Sequence, residues 1–502
     1  MEEKNKSVGY VNLNKKIVGI NLEKQQIMEL YHNTTKEYSD NQAKSLAEEL
    51  CITYIQKRFN PIATHGTSGN KEIWIKENGI YRNVGETKID EYLGYIFYED
   101  YSLGIKKKIF HKFTSRIYKE QFDFFDESNV FQIPMKNGVY DLSKKSLIKY
   151  SETKSYFFNM INIDYEKNAS CPKFLTFLKE VLANGENDID TIQEALGNIV
   201  IGDYRFQKAI IILGTGGNGK GTFLNVIQKV FNGVTSNLDL SQITKKSGDN
   251  FEISSLFGKW LNISGDIGKK DFLQDTGTFK KLTGQDYIEA QRKRKDSINF
   301  RNRAKLFLAC NELPHTQDAS DGFFRRWIAF KFDKKFLDEK QIADGEEISS
   351  NSLNDKKKPN VNLYNELTTP EELKGIMTWI IEGAIRLLYK KSFSSSETNS
   401  DLRNFWKVNS NPLEMFCDKF IDESEGMVIS QSEFRDRLSA FNPDINVTKE
   451  KIRYFLKERF SAKEGRSKVD GEARVMVWRG ISFFDSNKKN NIFDEMEDNK
   501  NV

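Results

Sequence analysis

Ala209-Ile-Ile-Ile-Leu-Gly214-Thr-Gly-Gly-Asn-Gly-Lys220-Gly-Thr222 is the stretch on which the reading of this chain turns. Five apolar residues suit a strand buried on both faces. Glycines at 214, 216, 217 and 219 follow, and then Phe223, Val226, Ile227, Val230 and Phe231 fall on one face at helical spacing. Strand, glycine loop and helix in that order make a phosphate cradle. Glycine lets consecutive backbone N–H groups turn inward, the helix N-terminus adds partial positive charge, and Lys220 reaches the β- and γ-phosphates. A plain glycine turn before a helix would need neither the lysine nor so many glycines. Gly214, Thr215, Gly216, Gly217, Asn218, Gly219, Lys220, Gly221 and Thr222 are therefore the candidate nucleotide-binding residues, with ATP and Mg²⁺ as the expected ligands. Gly221 stands where a Ser or Thr is usual after the lysine. The metal ligand is then Thr222, one position later, or a water.

Further short apolar runs, Trp260 to Ser264, Lys305 to Cys310 and Trp327 to Phe332, supply the other strands of an α/β sheet. Their ends carry the remaining chemistry. Asp266 follows one run and can hold Mg²⁺ or water; read by itself it is also an ordinary turn aspartate. Asn311 ends another and can orient an attacking water, or cap a turn. Arg325 and Arg326 precede the last, and an arginine near a γ-phosphate stabilises transition-state charge. Between the Asp266 and Asn311 segments, residues 292–305 hold seven basic residues and one acidic. Arg292, Lys293, Arg294 and Lys295 are the candidate DNA contacts, since such clusters bind phosphate backbones without reading sequence. A solvated charged face is the plainer alternative.

Outside this core the patterning divides the chain. Residues 1–135 read as an α+β accessory unit, with a hairpin at Glu72 to Arg82 turning on Asn78-Gly79. Residues 136–205 are a largely helical collar, 206–390 the ATPase unit, 391–411 a Ser-rich linker, 412–486 a C-terminal unit and 487–502 a polar, disordered tail. Residues 338–362 read as a mobile loop, and Pro370 to Leu388 as an amphipathic helix. In the C-terminal unit, three helices precede a hairpin whose strands are Val475 to Trp478 and Ile481 to Phe484, the pattern of a winged helix. Net charge is only +4, so nucleic-acid binding has to rest on local clusters and not on the whole chain. The four cysteines match no metal or redox spacing. No stretch approaches the ~20 apolar residues of a membrane span, and the first residues lack a signal-peptide core. A cytoplasmic location follows as the expectation.

Taken in order, the phosphate loop, LNISGD (Leu261 to Asp266), FKKLTGQDYIEAQ (Phe279 to Gln291), LFLACNELP (Leu306 to Pro314), DGFFRRWIAFKF (Asp321 to Phe332) and LTTPEELKGIMTWIIEGAIRLL (Leu367 to Leu388) resemble the superfamily 3 helicases of the phage, plasmid and poxvirus-type primase–helicase group. NGVYDL (Asn137 to Leu142) and the run from Ile192 to Gly214 resemble the region before the motor. The resemblance covers about residues 135–485. It implies an AAA+-like P-loop motor, a homo-hexameric ring around DNA, 3′ to 5′ movement and a winged helix that can bind origin DNA. Such a protein would start and drive replication of a mobile element beside other replication proteins. Lys220, Asp266, Asn311 and Arg325 or Arg326 take the catalytic roles, Thr222 and Asp266 the metal, and Lys293 and Lys295 the tip of a DNA-gripping hairpin. The general base stays open, because Gly265 precedes Asp266 where many members carry a second carboxylate. No primase active site is expected in the first 135 residues. The alternatives are an ATP-switched origin binder with little helicase activity and another DNA motor, such as a packaging ATPase.

Overall fold

The computed structural model describes residues 20–484 apart from 34–36, 66–70, 127–129, 185, 215, 245–250, 268–271, 274–275, 293–294, 317, 319, 333–335, 337–359, 396, 411, 442–446 and 469–473. Thr215, Lys293, Arg294, most of the 338–362 segment and the 487–502 tail therefore lie outside the described residues.

A mixed α/β architecture is built on one parallel sheet. Its strands are β1 (Ala209–Leu213), β2 (Thr235–Ser236), β3 (Leu261–Ile267), β6 (Lys305–Cys310) and β7 (Trp327–Lys331), with β4 (Tyr287–Arg292) and β5 (Lys295–Arg301) forming a separate antiparallel hairpin between β3 and β6. The sheet runs β7-β1-β6-β3-β2, every neighbouring pair parallel. Both faces are covered, which is why β1 is apolar throughout rather than alternating and β6 is buried along its whole length, its first residue Lys305 included. On one face lie α1 (Pro172–Val181), α2 (Glu186–Val200), α3 (Lys220–Val230) and α4 (Pro370–Lys390), sharing a core with Ile210, Ile212, Phe307 and Phe330. On the other, Ile211, Leu213, Leu306 and Leu308 meet Phe279, Phe300, Phe323 and Trp406.

The segment read as a linker is partly docked. Ser394 donates from its amide (2.6 Å) and hydroxyl (2.8 Å) to the buried Glu194 carboxylate on α2. Helix α5 (Asn399–Ser410) follows, and its Trp406 is buried, with the indole N–H donating to the Pro314 carbonyl at 2.9 Å. Seryl composition suggests a free linker, but serine also satisfies buried carboxylates.

The front unit packs helices Asp40–Phe59, Gly85–Phe97 and Leu103–Thr114 around Cys51, Ile52, Leu93, Phe97 and Phe113. Its sheet contains the hairpin Lys71–Glu77 and Ile80–Arg82; Asn78 and Gly79 both take positive φ, as a tight two-residue turn requires. The C-terminal unit holds helices Pro412–Phe420, Gln431–Phe441 and Lys449–Phe460 on an antiparallel sheet of Ile421–Ser430, Val475–Phe483 and Lys463–Ser467. Here the expected hairpin is corrected. Val475–Phe483 is one strand, paired with Lys463–Ser467 on one side and Ile421–Ser430 on the other. Gly480, at φ +90°, sits where the register with Ile421–Ser430 shifts. A lone glycine inside a strand marks a bulge as readily as a turn.

Candidate nucleotide site and DNA-facing hairpin

The carboxyl ends of β1 and β6 lie side by side, Leu213 opposite Cys310. The loop after β1 and Asn311 after β6 therefore open at the same place, outside the carboxyl edge of a parallel sheet, where such folds bind ligands. Lys220 opens α3 and is 8% exposed. Its ammonium donates to the carbonyl of Gly214, to Asn218 Oδ1 (3.1 Å) and to Asn311 Oδ1 (3.1 Å). Lys220 thus meets a residue 91 positions later in the chain.

Asn218 is a loop residue whose role composition does not disclose. It is buried, and its Nδ2 donates to the Phe332 carbonyl at 2.9 Å, while Phe336 N donates to the Gly217 carbonyl at 2.9 Å. The loop is thereby strapped to the chain leaving β7. Gly214 is forced by space: a Cβ there would lie 2.0 Å from Asn218 Nδ2 and 2.4 Å from the Phe332 carbonyl. Gly219 is forced by backbone, at φ +87°. Gly216 is exposed, and Gly221, on the first turn of α3, meets none of the described residues within 4 Å of an added Cβ. Thr222 is half-buried on the same turn. Asp266 belongs to β3, two strands from the loop; its side chain lies outside the described residues. Beside it, Ser264 donates to Asp239 at 2.9 Å, and Asn262 pairs with the backbone of Leu238 in both directions at 2.8 Å. These bonds fix the end of β2 and the following turn against β3.

Arg325 and Arg326 do not join this group within one chain. The Arg326 carbonyl accepts from the amide of Ala209, at the amino end of β1. Five rungs of strand, about 17 Å, separate it from the loop. The two side chains differ. Arg325 is exposed, whereas Arg326 is 8% exposed and donates to the Gly322 carbonyl. Burial, and then the charge of Arg325, push the Arg326 guanidinium below its usual range.

The basic stretch does form a hairpin, Tyr287–Arg292 against Lys295–Arg301, with residues 293–294 between the strands. The four expected DNA contacts separate. Arg292 is paired at 2.9 Å with Glu72 of the front unit, both side chains under 20% exposed. Lys293 and Arg294 lie outside the described residues, as does the side chain of Lys295. Lys305, from the same basic run, is a core residue. It is 1% exposed, donates to the carbonyls of Ile201 (2.9 Å) and Arg303 (3.1 Å), and lies 4.7 Å from the Tyr204 ring centre. Burial lowers its pKa to about 7. Among the described residues no group of three His, Cys, Asp or Glu is placed to hold a metal, and no helix is long and apolar enough to cross a membrane.

Two family models match the chain: "D5 N terminal like" over residues 4–183, and a family of unknown function, DUF5906, over residues 212–326. A protein of Acanthamoeba polyphaga mimivirus named "Putative helicase" is 26% identical over 223 residues, 42% of this chain. One of Invertebrate iridescent virus 3 with the same designation is 25% identical over 244 residues, 46% of this chain. The matched regions span 22% and 26% of those relatives' lengths. Among solved structures, the apo NrS-1 C-terminal region aligns with a TM-score of 0.44 at 12% identity, covering 86% of this chain and 98% of that one.

Proposed function

We propose that this chain is an ATP-hydrolysing helicase that moves on single-stranded DNA as a ring of identical subunits, of the AAA+-like superfamily 3 class. The observation that carries the reading is the convergence of Lys220, Asn218 and Asn311 at the carboxyl ends of adjacent parallel strands. The basic hairpin inserted between β3 and β6, and the viral relatives named as helicases, support the DNA half of the reading.

The loop N–H groups and Lys220 bind and orient the β- and γ-phosphates. Asn311, already within hydrogen-bond reach of Lys220, positions the attacking water beside the γ-phosphate. A hydroxyl and a carboxylate are hard oxygen donors suited to Mg²⁺, so Thr222 and Asp266 would hold it, and the ion would neutralise charge on the phosphate oxygens. Because Arg325 sits at the opposite end of the sheet from its own loop, it serves the loop of the next subunit. Each nucleotide state then sets the position of one hairpin, and Lys293 and Lys295 at its tip carry the strand 3′ to 5′. The C-terminal unit, with three helices and a three-stranded sheet, acts as a winged helix on origin DNA, making the protein an initiator as well as a motor of a mobile element.

Steady-state ATP turnover with and without single-stranded DNA, for wild type and Lys220→Ala, tests this. Turnover that DNA stimulates and the mutation abolishes is expected. A folded, assembled wild type that binds ATP without turning over would replace the motor with an ATP-switched initiator.

A further inference from the structure

At the amino end of the sheet, away from the phosphate loop, a cleft opens between the segment before the motor and the foot of the hairpin. Tyr156, Phe157 and Phe158 line it, as do Trp260, just before β3, and Tyr287 and Phe300 of the hairpin. Arg301 and Arg303 also line it. Its interior volume is about 60 Å³, too small for a sugar and phosphate.

Several of the rings are locked into one another. Phe257 meets Phe300 edge-on at 5.5 Å, and Phe158 meets Phe124 edge-on at 5.1 Å. Trp260 enters no ring pair among the described residues, and Tyr287 is 36% exposed. The Arg301 guanidinium lies over the Tyr287 ring, 4.3 Å from its centre. Aromatic faces beside an arginine are the arrangement that binds unstacked bases without reading their identity. Position agrees with this. Tyr287 faces Arg301 at the foot of the hairpin, and the five residues to Arg292 near the tip span about 17 Å, the length of roughly five stacked nucleotides.

We propose that this cleft receives one unstacked base of the strand gripped by the hairpin, stacked on Trp260 and Tyr287, with Arg301 and Arg303 taking the flanking phosphate. The assignment rests on the single-stranded-DNA reading above and adds a second hold on the same strand. Such a hold keeps the strand in register while the hairpin tip releases and resets.

The test compares binding of full-length protein to a thymine oligonucleotide and to an equally long strand carrying abasic sites. Wild type is expected to prefer the base-bearing strand by about 5- to 100-fold, the range that stacking of one base provides, with the same salt dependence for both. Tyr287→Ala and Trp260→Ala, checked for wild-type melting, should erase the preference and leave the salt slope unchanged. Tyr287→Phe, which keeps the ring, should retain it. Lys293→Ala should do the reverse, lowering the salt slope and keeping the preference. Excess free thymidine should not displace the effect; if it does, the guest is a free nucleoside and the strand assignment falls. Equal binding of both strands by wild type, or a preference that survives both alanine variants, overturns the base site and leaves the DNA reading intact. Binding to neither strand removes the DNA reading itself.

Discussion

Arg325 and Arg326 are adjacent in sequence and opposite in circumstance. Arg326 is buried, its Nε has no hydrogen-bond partner among the described residues, and it is held by the Gly322 carbonyl; Arg325 is exposed. Arg325→Ala should therefore keep stability within about 0.5 kcal/mol and lower ATP turnover by about 10³- to 10⁵-fold. Arg326→Ala should lower the melting temperature. Mixing tells the subunits apart. Arg325→Ala and Lys220→Ala are each inactive, but together they should recover turnover, because some interfaces then pair an intact loop with an intact arginine. An arginine acting on its own subunit's loop gives no recovery. The sequence supplied this pair as candidates and left the choice between them open. Only burial separates two identical side chains one residue apart.

At the scale of an element, the phosphate loop is shaped by contacts on one side and open on the other. Gly214→Ala drives a methyl into Asn218 and the Phe332 carbonyl, both held in place, so a loss of about 1–3 kcal/mol in chemical unfolding is expected, along with loss of nucleotide binding. Gly221→Ser meets no neighbour among the described residues and should fold normally. If Thr222 compensates for the absent hydroxyl, Gly221→Ser will change the Mg²⁺ dependence of turnover only slightly, whereas Thr222→Ala will raise the Mg²⁺ requirement strongly. Titration of activity with Mg²⁺ reads both. The glycines of this loop were legible from sequence, and close packing at Gly214 and a positive φ at Gly219 are what restrict those positions. The strap through Asn218 was not, since its acceptor, the Phe332 carbonyl, is 114 residues away and any residue has a carbonyl. The hairpin was legible as a run of charge, but the division of labour inside it was not. Arg292 is committed to Glu72, 220 residues earlier in the chain.

Across the whole molecule, Lys305 links the parallel sheet to the helices before it by donating to the Ile201 carbonyl at the end of α2. Its folded pKa, lowered by burial to about 7, lies below the unfolded value near 10.4, so between those pH values the unfolded chain binds more protons. Its contribution to stability thus rises with pH through that window, and the cost of burying the ammonium is fully felt below it. Relative to Lys305→Met, wild type should gain about 3 kcal/mol between about pH 7 and about pH 9.5 in urea unfolding; a difference that stays flat with pH would show the amine is not desolvated. Composition counted Lys305 as part of a basic DNA face, and the fold placed it in the core. By itself the sequence determined what local rules determine: apolar runs for buried strands, glycines for the loop after β1, Asn78-Gly79 for a turn, and helical spacing for the flanking helices. The tertiary structure alone decided which charges face solvent, which lie buried and which are already paired. It also decided that Asn311 meets Lys220, and that aromatic residues from the front unit, the collar and the hairpin form one cleft. The reason is physical: local propensity acts over a few residues, whereas desolvation and pairing depend on neighbours that the chain brings back from a hundred or more residues away.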